Sequence, residues 1–267
     1  NFGAALAIAD ADGDGDGDLI VGSPGADIAP GGAFTARGVV VAAGALGTNR
    51  LLADCKHRGS LPALSDRLGQ LVRTNSEAIV GVTLPARLKL EPWRDVAISS
   101  SIHVGADTHI EFVTYGPKGD AMASLVTLLT GEGTRLTRPL KWLAQVVQHP
   151  IRFLKTLWPV GWSQRSVLLL VMQTLDNAIE FRPVRRWFGA GVKLKTRQDP
   201  LHPNPTYIAA ANRAAQWLQD ETGGTAQSAI LEALANIPNT AHLLGGAVIG
   251  RDASTGVVDH RLRAFGY

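Results

Sequence analysis

The sequence has one cysteine, Cys55, among 267 residues, and no apolar run approaches the roughly 20 residues that a membrane-spanning helix needs. A lone cysteine excludes an internal disulfide and a metal site built from cysteines. A P-loop, a Ser-His-Asp arrangement with supporting context and a nucleic-acid-binding module are also missing. We therefore expect no nucleic acid partner, and the function has to be sought in other patterns of residues.

Lys and Arg are absent from residues 1–34, which contain six aspartates, whereas residues 35–267 carry a net charge of +9. Hydrophobic residues make up 45% of the chain and charged residues 18%, which is typical of a globular protein. A charge boundary this sharp predicts two modules of different origin. Because the chain starts at Asn1-Phe2 and stops at Tyr267 without a closing element, we expect a fragment or a processed piece.

An acidic loop follows the first apolar run, with carboxylates alternating with small residues at Asp10, Asp12, Asp14, Asp16 and Asp18. Calcium takes six to eight oxygen ligands, and a glycine-bearing turn lets alternate side chains converge on one ion. An EF-hand would need a glutamate at the twelfth loop position, where Val21 stands. The apolar runs on either side, at 4–9 and 19–21, favour strands over helices. The loop is therefore either a calcium site between strands or a solvated acidic turn.

Phe2-Gly3, the acidic loop and the run Val21-Gly22-Ser23-Pro24-Gly25-Ala26 together resemble one FG-GAP repeat, a blade of integrin α-type β-propellers. The resemblance implies calcium on Asp10, Asp12, Asp14 and Asp18, with the main-chain carbonyl of Asp16. A propeller needs about four to eight blades, and no later stretch repeats the pattern. We expect residues 1–34 to be a remnant of a longer protein or a foreign segment joined near Phe34.

Residues 39–52 predict a buried strand, a turn of small residues and then a helix. Glycine lets a backbone approach a phosphate closely, and the N-terminus of the new helix favours an anion. On its own this pattern also fits many strand–helix crossovers that bind no nucleotide.

The middle of the chain has the alternation of antiparallel strands. Residues 95–104 and 108–115 predict a hairpin around Gly105-Ala106-Asp107, and further strands are expected at 166–174, 178–185 and 192–197. A helix is expected at 206–222, ending at Gly223-Gly224. Within the second hairpin strand, Glu111 points away from the face that Ile110 and Phe112 share.

The segment 138–162 combines an apolar helical pattern with basic residues, tryptophans and a kink at Pro150. The apolar members are Leu140, Leu143, Val147, Ile151, Leu154 and Trp158. The basic residues Arg138, Lys141, Arg152 and Lys155, with Trp142, Trp158 and Trp162, suit a helix pair on a membrane surface. The alternative is an ordinary amphipathic helix pair that packs on the protein.

His242 directly precedes Leu243-Leu244-Gly245-Gly246. A histidine next to a Gly-Gly pair, where backbone approaches a ligand closely, has the make-up of a general base beside a bound cofactor. A histidine in an apolar run is otherwise a core residue.

Three sequence motifs follow one another along the chain. They are Ala43-Gly44-x-x-Gly47-Thr48, Arg73-Thr74-Asn75-Ser76-Glu77 and His242-x-x-Gly245-Gly246-x-x-x-Gly250. Residues 35–267 thereby resemble the GMC flavoprotein oxidoreductases, in particular the branch that contains the bacterial cholesterol oxidases. The resemblance implies an FAD-dependent oxidation of a CH–OH group in a small-molecule alcohol, expected to be a sterol.

The resemblance also assigns roles to residues. The FAD would be lined by Gly44, Gly47, Thr48 and Asn75. His242 would be the base that takes the hydroxyl proton or its hydrogen-bonding partner, and Glu111 would move the steroid double bond. The alternative for Glu111 is an exposed carboxylate on a strand, without a role in catalysis.

The implied fold is of the α/β (α+β) class. We expect a partial FAD-binding Rossmann-like domain from 35–80 and 236–267, an antiparallel-sheet substrate-binding domain at 81–235, and the blade-like segment 1–34. The fingerprint Gly-x-Gly-x-x-Gly is absent, so the FAD site is incomplete and we expect little or no activity from this chain alone. A bacterial cytoplasmic or cell-envelope location with peripheral membrane contact through 138–162 fits this interpretation.

A hypothesis of another class is a calcium-binding FG-GAP propeller or adhesion protein whose later part is structural. The single repeat counts against it, because one blade cannot bury both of its faces.

Overall fold

The chain folds into helices and antiparallel sheets in a computed structural model, which describes residues 5–9, 18–22, 39–94, 96–187 and 191–267. This mixed architecture agrees with the expected α/β (α+β) class. Two compact units can be distinguished. Unit 1 comprises Asn1–Arg73, Ala178–Leu201 and Leu243–Tyr267, and unit 2 comprises Thr74–Asn177 and His202–His242.

The described strands are, in chain order, β1 (Ala5–Ala9), β2 (Asp18–Gly22), β3 (Val39–Val40), β4 (Gln70–Thr74), β5 (Ala78–Thr83), β6 (Ile98–His103), β7 (Thr108–Val113), β8 (Val126–Leu128), β9 (Ser166–Gln173), β10 (Ile179–Arg185), β11 (Val192–Gln198), β12 (Thr225–Ala229) and β13 (Leu243–Gly246). The helices are α1 (Gly44–Arg58), α2 (Thr137–Gln148), α3 (Pro150–Thr156), α4 (Trp162–Arg165), α5 (Ala209–Thr222) and α6 (Ile230–Ala235). Short 3₁₀ helices lie at Ala86–Leu88, Pro92–Arg94 and Asp120–Leu125.

The N-terminal strands of unit 1 form a three-stranded sheet. β1 pairs antiparallel with β2, and β2 pairs parallel with β3. The strands expected on both sides of the acidic loop are thus confirmed. Asp10, Asp12, Asp14 and Asp16 lie outside the described residues, and only the backbone of Asp18 is described, at the start of β2.

The second sheet of unit 1 has the strand order β11-β10-β4-β13, with Val72, Ile179 and Phe181 in its core. Helix α1 packs against this sheet through Asn49, which is 1% exposed. The Asn49 amide donates to the carbonyl oxygens of Ala45 at 2.7 Å and Gly245 at 3.0 Å. The Gly-Gly pair after His242 therefore has a structural role in unit 1.

The close packing of Gly246 on Asn49 can be tested by adding a methyl group at Gly246. It has a φ of +80°, and a Cβ added there would overlap the Asn49 side chain. We expect Gly246→Ala to lower the free energy of unfolding by about 1–3 kcal/mol more than Gly59→Ala does. Gly59 is a matched control, because its φ is +79° but its Cβ would meet no atom within 4 Å. Urea unfolding of both variants measures the difference, and equal midpoints would contradict the proposed overlap.

Unit 2 is built on a six-stranded antiparallel sheet with the order β6-β7-β9-β5-β12-β8. Because side chains alternate along a strand, the sheet has two faces. One face packs on α5, and its core includes Val80, Val82, Ile110, Leu169, Val171, Ile208, Ala211 and Ala215. The other face carries Val113, Leu168, Leu170 and Met172, which pack with Trp162.

Most elements expected from periodicity are confirmed. The turn and helix at 39–52 appear as α1, and the predicted hairpin is the β6–β7 pair. The strand expected before α1 appears as β3, but the expectation that it is buried is wrong, because Val39 is 68% and Val40 42% exposed in this two-residue strand. The expected strands at 166–174, 178–185 and 192–197 are β9, β10 and β11, and the expected helix at 206–222 is α5. Residues 178–201 group with unit 1.

Candidate functional site

His242 lies in unit 2, between the end of α6 and the start of β13, and 58% of its side chain is exposed. Its backbone N–H donates to Thr240 Oγ1 at 3.1 Å, so a tight local turn fixes the main chain there. The histidine is therefore an accessible side chain on an ordered backbone. The alternative of a core histidine is excluded by its exposure.

Asn75 lies beside the ring of His242. Asn75 Nδ2 is 3.0 Å from His242 Nδ1. The Thr240 hydroxyl lies 2.9 Å from Asn75 Oδ1, and the same hydroxyl is 2.9 Å from the carbonyl oxygen of His242. The loop between β4 and β5 and the loop before β13 thus converge on one imidazole within unit 2.

Glu77 is a member of this group that the motifs did not single out. Its side chain is fully buried, its Oε2 accepts from the N–H of Ala241 at 2.8 Å, and the same oxygen is 3.5 Å from His242 Nδ1. Burial raises the pKa of Tyr115, and the charge of Glu77 raises this pKa further. The available signal in the sequence was an acid placed directly before the apolar strand β5.

Glu111 projects from the same sheet, on the face opposite α5. The strand register sets Ile79 beside Leu170 and Leu170 beside Glu111, so two apolar residues of the core around Trp162 lie between the loop of Glu77 and Glu111. At a strand spacing of about 4.8 Å and a rise of about 3.4 Å, the Cα atoms of the two glutamates are roughly 12 Å apart. Glu111 Oε1 is 3.9 Å from His109 Nε2.

Gly44 and Gly47 lie in the first turn of α1, in unit 1, and Thr48 follows directly after that turn. Gly44 has a φ of +66° and open space where a Cβ would stand. The first turn carries no acidic side chain and no side-chain cap, while Thr48 Oγ1 accepts from the N–H of Ala43 at 3.2 Å. An open helix N-terminus with free backbone donors fits a phosphate group.

A metal centre is not found among the described residues, which contain no group of three or more His, Cys, Asp or Glu side chains able to hold an ion. The predicted calcium ligands at 10–16 lie outside the described ranges.

The apolar row predicted for the helix pair α2–α3 is exposed, and the residues beside it differ from the prediction. The row consists of side chains 51–80% exposed: Leu136, Leu140, Leu143, Val147, Ile151, Leu154 and Trp158. Trp142 instead turns inward, donating to Thr127 Oγ1 at 2.8 Å, and Trp162 is buried in the core. Arg138 is also buried, so it does not belong to the basic rim.

The basic rim that remains consists of the exposed residues Arg135, Lys141, Arg152 and Lys155. No acidic residue occurs between positions 133 and 175 of the sequence. Because its side chains are exposed, the apolar row is not packed on the described part of the chain. The residues around it are positively charged. Across the described residues, no helix is both long and apolar enough to cross a membrane.

Comparison with known proteins identifies a family match and several relatives. The model of the FG-GAP repeat family matches residues 2–43. The cholesterol oxidase of Mycobacterium tuberculosis (strain ATCC 25618 / H37Rv) is 45% identical over 244 residues, which cover 88% of this chain and 41% of that protein. The cholesterol oxidase of Acinetobacter baumannii is 38% identical over 232 residues, with 86% and 41% covered. The resemblance inferred from the motifs is thus confirmed, and the chain spans about two fifths of the length of these curated relatives.

Proposed function

We propose that this chain forms part of an FAD-dependent oxidoreductase of the GMC family that oxidises the CH–OH group of a sterol. The observation that carries the proposal is the exposed imidazole of His242, whose Nδ1 is enclosed by Asn75 and the buried Glu77. His242 stands in the motif that resembles that of the GMC flavoprotein oxidoreductases, and the relatives of the chain are named cholesterol oxidases.

In the proposed reaction, His242 takes the proton of the substrate hydroxyl. Nδ1 faces Asn75 and Glu77, so Nε2 is the nitrogen left for the substrate. As the proton moves to Nε2, the C–O bond gains double-bond character and the carbinol carbon releases a hydride. FAD, when bound, supplies the acceptor for that hydride.

A second proton transfer follows in the proposed scheme for a sterol. Glu111 removes a proton from the carbon next to the new ketone and returns it at the far end of the double bond, which brings the double bond into conjugation. The support for Glu111 is its place on the same sheet face as Glu77, with a side chain that is 26% exposed.

The residues proposed to hold FAD fit that cofactor chemically. The open N-terminus of α1, with Gly44, Gly47 and Thr48, offers backbone donors to a phosphate, and Asn75 offers a side-chain amide. Since the chain spans 41% of its relatives' length, we propose that it has little or no sterol turnover alone. The assays below therefore use the flavin-loaded protein that contains this chain, called the holoenzyme.

The FG-GAP match favours a second, separate property of the N-terminal module. We propose that the aspartates at 10, 12, 14, 16 and 18 bind calcium there. A calcium-binding propeller or adhesion protein remains the alternative for the whole chain, and it is supported by the match over residues 2–43 only.

We further propose that α2–α3 contacts the surface of an anionic membrane, from which a sterol substrate could be drawn, at the bacterial cytoplasmic or envelope side. The support is the exposed apolar row with its basic, acid-free surroundings. Changing Leu140, Leu143 and Ile151 together to Ser is expected to weaken binding to vesicles of phosphatidylcholine and phosphatidylglycerol about 100-fold. The reason is that each apolar side chain contributes ~1 kcal/mol or more when it leaves water.

The control for this binding experiment is a triple change of exposed apolar residues elsewhere in unit 2, at Leu90, Ile98 and Ile102. This variant should sediment with the vesicles as the wild type does. Equal vesicle binding by both triple variants would show that the apolar row does not bind membranes. A protein partner or a second copy of the chain would then be the candidate that covers this row.

The substrate class is tested by steady-state assays of the holoenzyme with cholesterol, a long-chain primary alcohol and glucose, using a redox dye as electron acceptor. The proposal predicts that cholesterol has a kcat/KM at least tenfold above those of the other two alcohols. A preference for glucose or the aliphatic alcohol would reject the sterol assignment but keep the alcohol oxidation.

A further inference from the structure

Glu77 is a buried carboxylate at the end of the loop that leads into β5, next to His242. Its side chain has no exposure, and burial of a charge is costly unless the charge is paired. Within the described ranges, the ring of His242 is the one group able to carry a positive charge within 4 Å of this carboxylate. The other contact is the N–H of Ala241, at 2.8 Å.

The contact with Ala241 fixes the carboxylate relative to the histidine. Ala241 directly precedes His242, so the Oε2 atom that accepts from this N–H is held beside the ring by the same short stretch of backbone. Thr240 Oγ1 accepts from the N–H of His242 at 3.1 Å and so orders the same stretch. Glu77 Oε2 is thereby held 3.5 Å from Nδ1 of the ring.

A neutral imidazole carries its proton on one nitrogen only, and the surroundings decide which one. With the proton on Nε2, the lone pair of Nδ1 would face Glu77 Oε2 at 3.5 Å, acceptor against acceptor. With the proton on Nδ1, that proton lies beside the carboxylate. The buried negative charge therefore favours the proton on Nδ1.

The neighbouring amide and hydroxyl can satisfy this second arrangement. A half-turn of the Asn75 amide exchanges its oxygen and nitrogen, so that Oδ1 accepts from Nδ1–H and Nδ2 donates to Thr240 Oγ1. The Thr240 hydroxyl then donates to the carbonyl oxygen of His242, which is already 2.9 Å away. In this arrangement Nδ1 of His242, the Asn75 amide and the Thr240 hydroxyl each have a partner, and Glu77 Oε1 is the buried atom of the group that has none among the described residues.

We infer that Glu77 is a positioning residue that holds His242 as its Nδ1–H tautomer and leaves the Nε2 lone pair free to take the substrate's proton. This inference rests on the proposed function of His242 as the base. After the proton transfer both ring nitrogens carry hydrogen, and the Glu77 carboxylate stands opposite the resulting imidazolium.

The test is the long-range ¹H–¹⁵N NMR spectrum of the histidine rings, recorded on the full chain, with His242 assigned by its absence in His242→Gln. The wild type should show Nδ1–H as the main neutral form. In Glu77→Gln, which removes the charge at nearly constant shape, the ratio of Nδ1–H to Nε2–H should fall at least tenfold. A main Nε2–H form in the wild type, or an unchanged ratio in the variant, would overturn the inference.

Two further variants separate this effect from misfolding and from the proposed function. Glu77→Asp keeps the charge and should keep Nδ1–H as the main form, so a loss in both variants would show that the charge does not select the tautomer. In the holoenzyme, Glu77→Gln should lower kcat about 10-fold or more with little change in KM. An altered tautomer ratio with unaltered kcat would uphold the positioning of His242 and reject His242 as the base.

Discussion

Replacing His242 by glutamine is expected to lower kcat of the holoenzyme with cholesterol by roughly 10²–10⁴-fold, the usual contribution of a positioned acid–base group. Glutamine fills a similar volume and can still hydrogen-bond, but it cannot take the hydroxyl proton. Because the side chain is largely exposed, the substitution should not disturb folding. Steady-state turnover measures the effect, and the retained flavin band shows that the cofactor site is intact.

His260→Gln provides the matched control for this substitution. His260 is an exposed histidine of unit 1, so its replacement should leave kcat within twofold of the wild type. If His242→Gln turned over cholesterol as fast as His260→Gln, the base of the reaction would have to be another residue.

Replacing Arg138 by alanine is expected to lower the free energy of unfolding by about 3–5 kcal/mol, because it leaves a buried carboxylate without its cation. Arg138 is fully buried and donates to Glu232 Oε1 at 2.8 Å. It also donates to the carbonyl oxygen of Thr206 at 2.6 Å and to Asn236 Oδ1 at 3.2 Å. One guanidinium thus ties α2 to α6 and to the chain before α5. Urea unfolding at pH 7, followed by tryptophan fluorescence, measures the loss.

The loss caused by Arg138→Ala should depend on pH. Burial raises the pKa of Glu232 above its usual value of 4.5, and Arg138 opposes that rise. Without Arg138 the pKa rises further, so the folded variant is penalised most at neutral pH, where the unfolded chain holds Glu232 ionised. As the pH falls through the raised pKa of the folded variant the deficit should begin to shrink, and below pH 4.5, where the carboxyl is protonated in both states, the deficit should be smallest.

Two controls accompany this substitution. Arg135→Ala removes an exposed arginine near the start of the same helix and should change the free energy of unfolding by less than about 0.5 kcal/mol. Arg138→Met combined with Glu232→Met removes both charges and should recover part of the stability. A deficit independent of pH, and not relieved by the double change, would show that lost packing rather than the unpaired charge is responsible.

The secondary structure could be predicted well where periodicity and turn residues agree. The β6–β7 hairpin has alternating side chains around a Gly-containing turn, and α5 ends where Gly223 adopts a left-handed conformation. Both follow from local chemistry, which is present in the sequence itself. The assignment of 178–201 to unit 1 depends on the pairing of β10 with β4, more than a hundred residues away, which no local pattern reveals.

The helix pair α2–α3 shows what periodicity does and does not determine. Spacing predicted an amphipathic surface, and the structure confirms the row formed by Leu140, Leu143 and Val147. The spacing of apolar residues could not show which side of the helix packs on the rest of unit 2. That side is set by Arg138 and Trp142, a charged and an aromatic residue that find buried partners in Glu232 and Thr127.

The candidate site was predictable in part. The motifs identified His242 and Asn75, and their side chains prove to be 3.0 Å apart although 167 positions separate them in the sequence. Glu77 was missed because an acid before a strand is usually solvated, and only the tertiary structure shows that it is buried. The roles assigned to Glu111, Gly44, Gly47 and Thr48 stay predictions.

The most direct test of the central claim is the visible spectrum of the holoenzyme during anaerobic addition of cholesterol. The account predicts that the flavin band near ~450 nm, the cofactor's own signature, bleaches with cholesterol and stays unchanged with its 3-keto product, which has no hydride to give at that carbon. A band that cholesterol leaves unchanged, in a protein whose flavin a chemical reductant still bleaches, would contradict the assignment as a sterol oxidase.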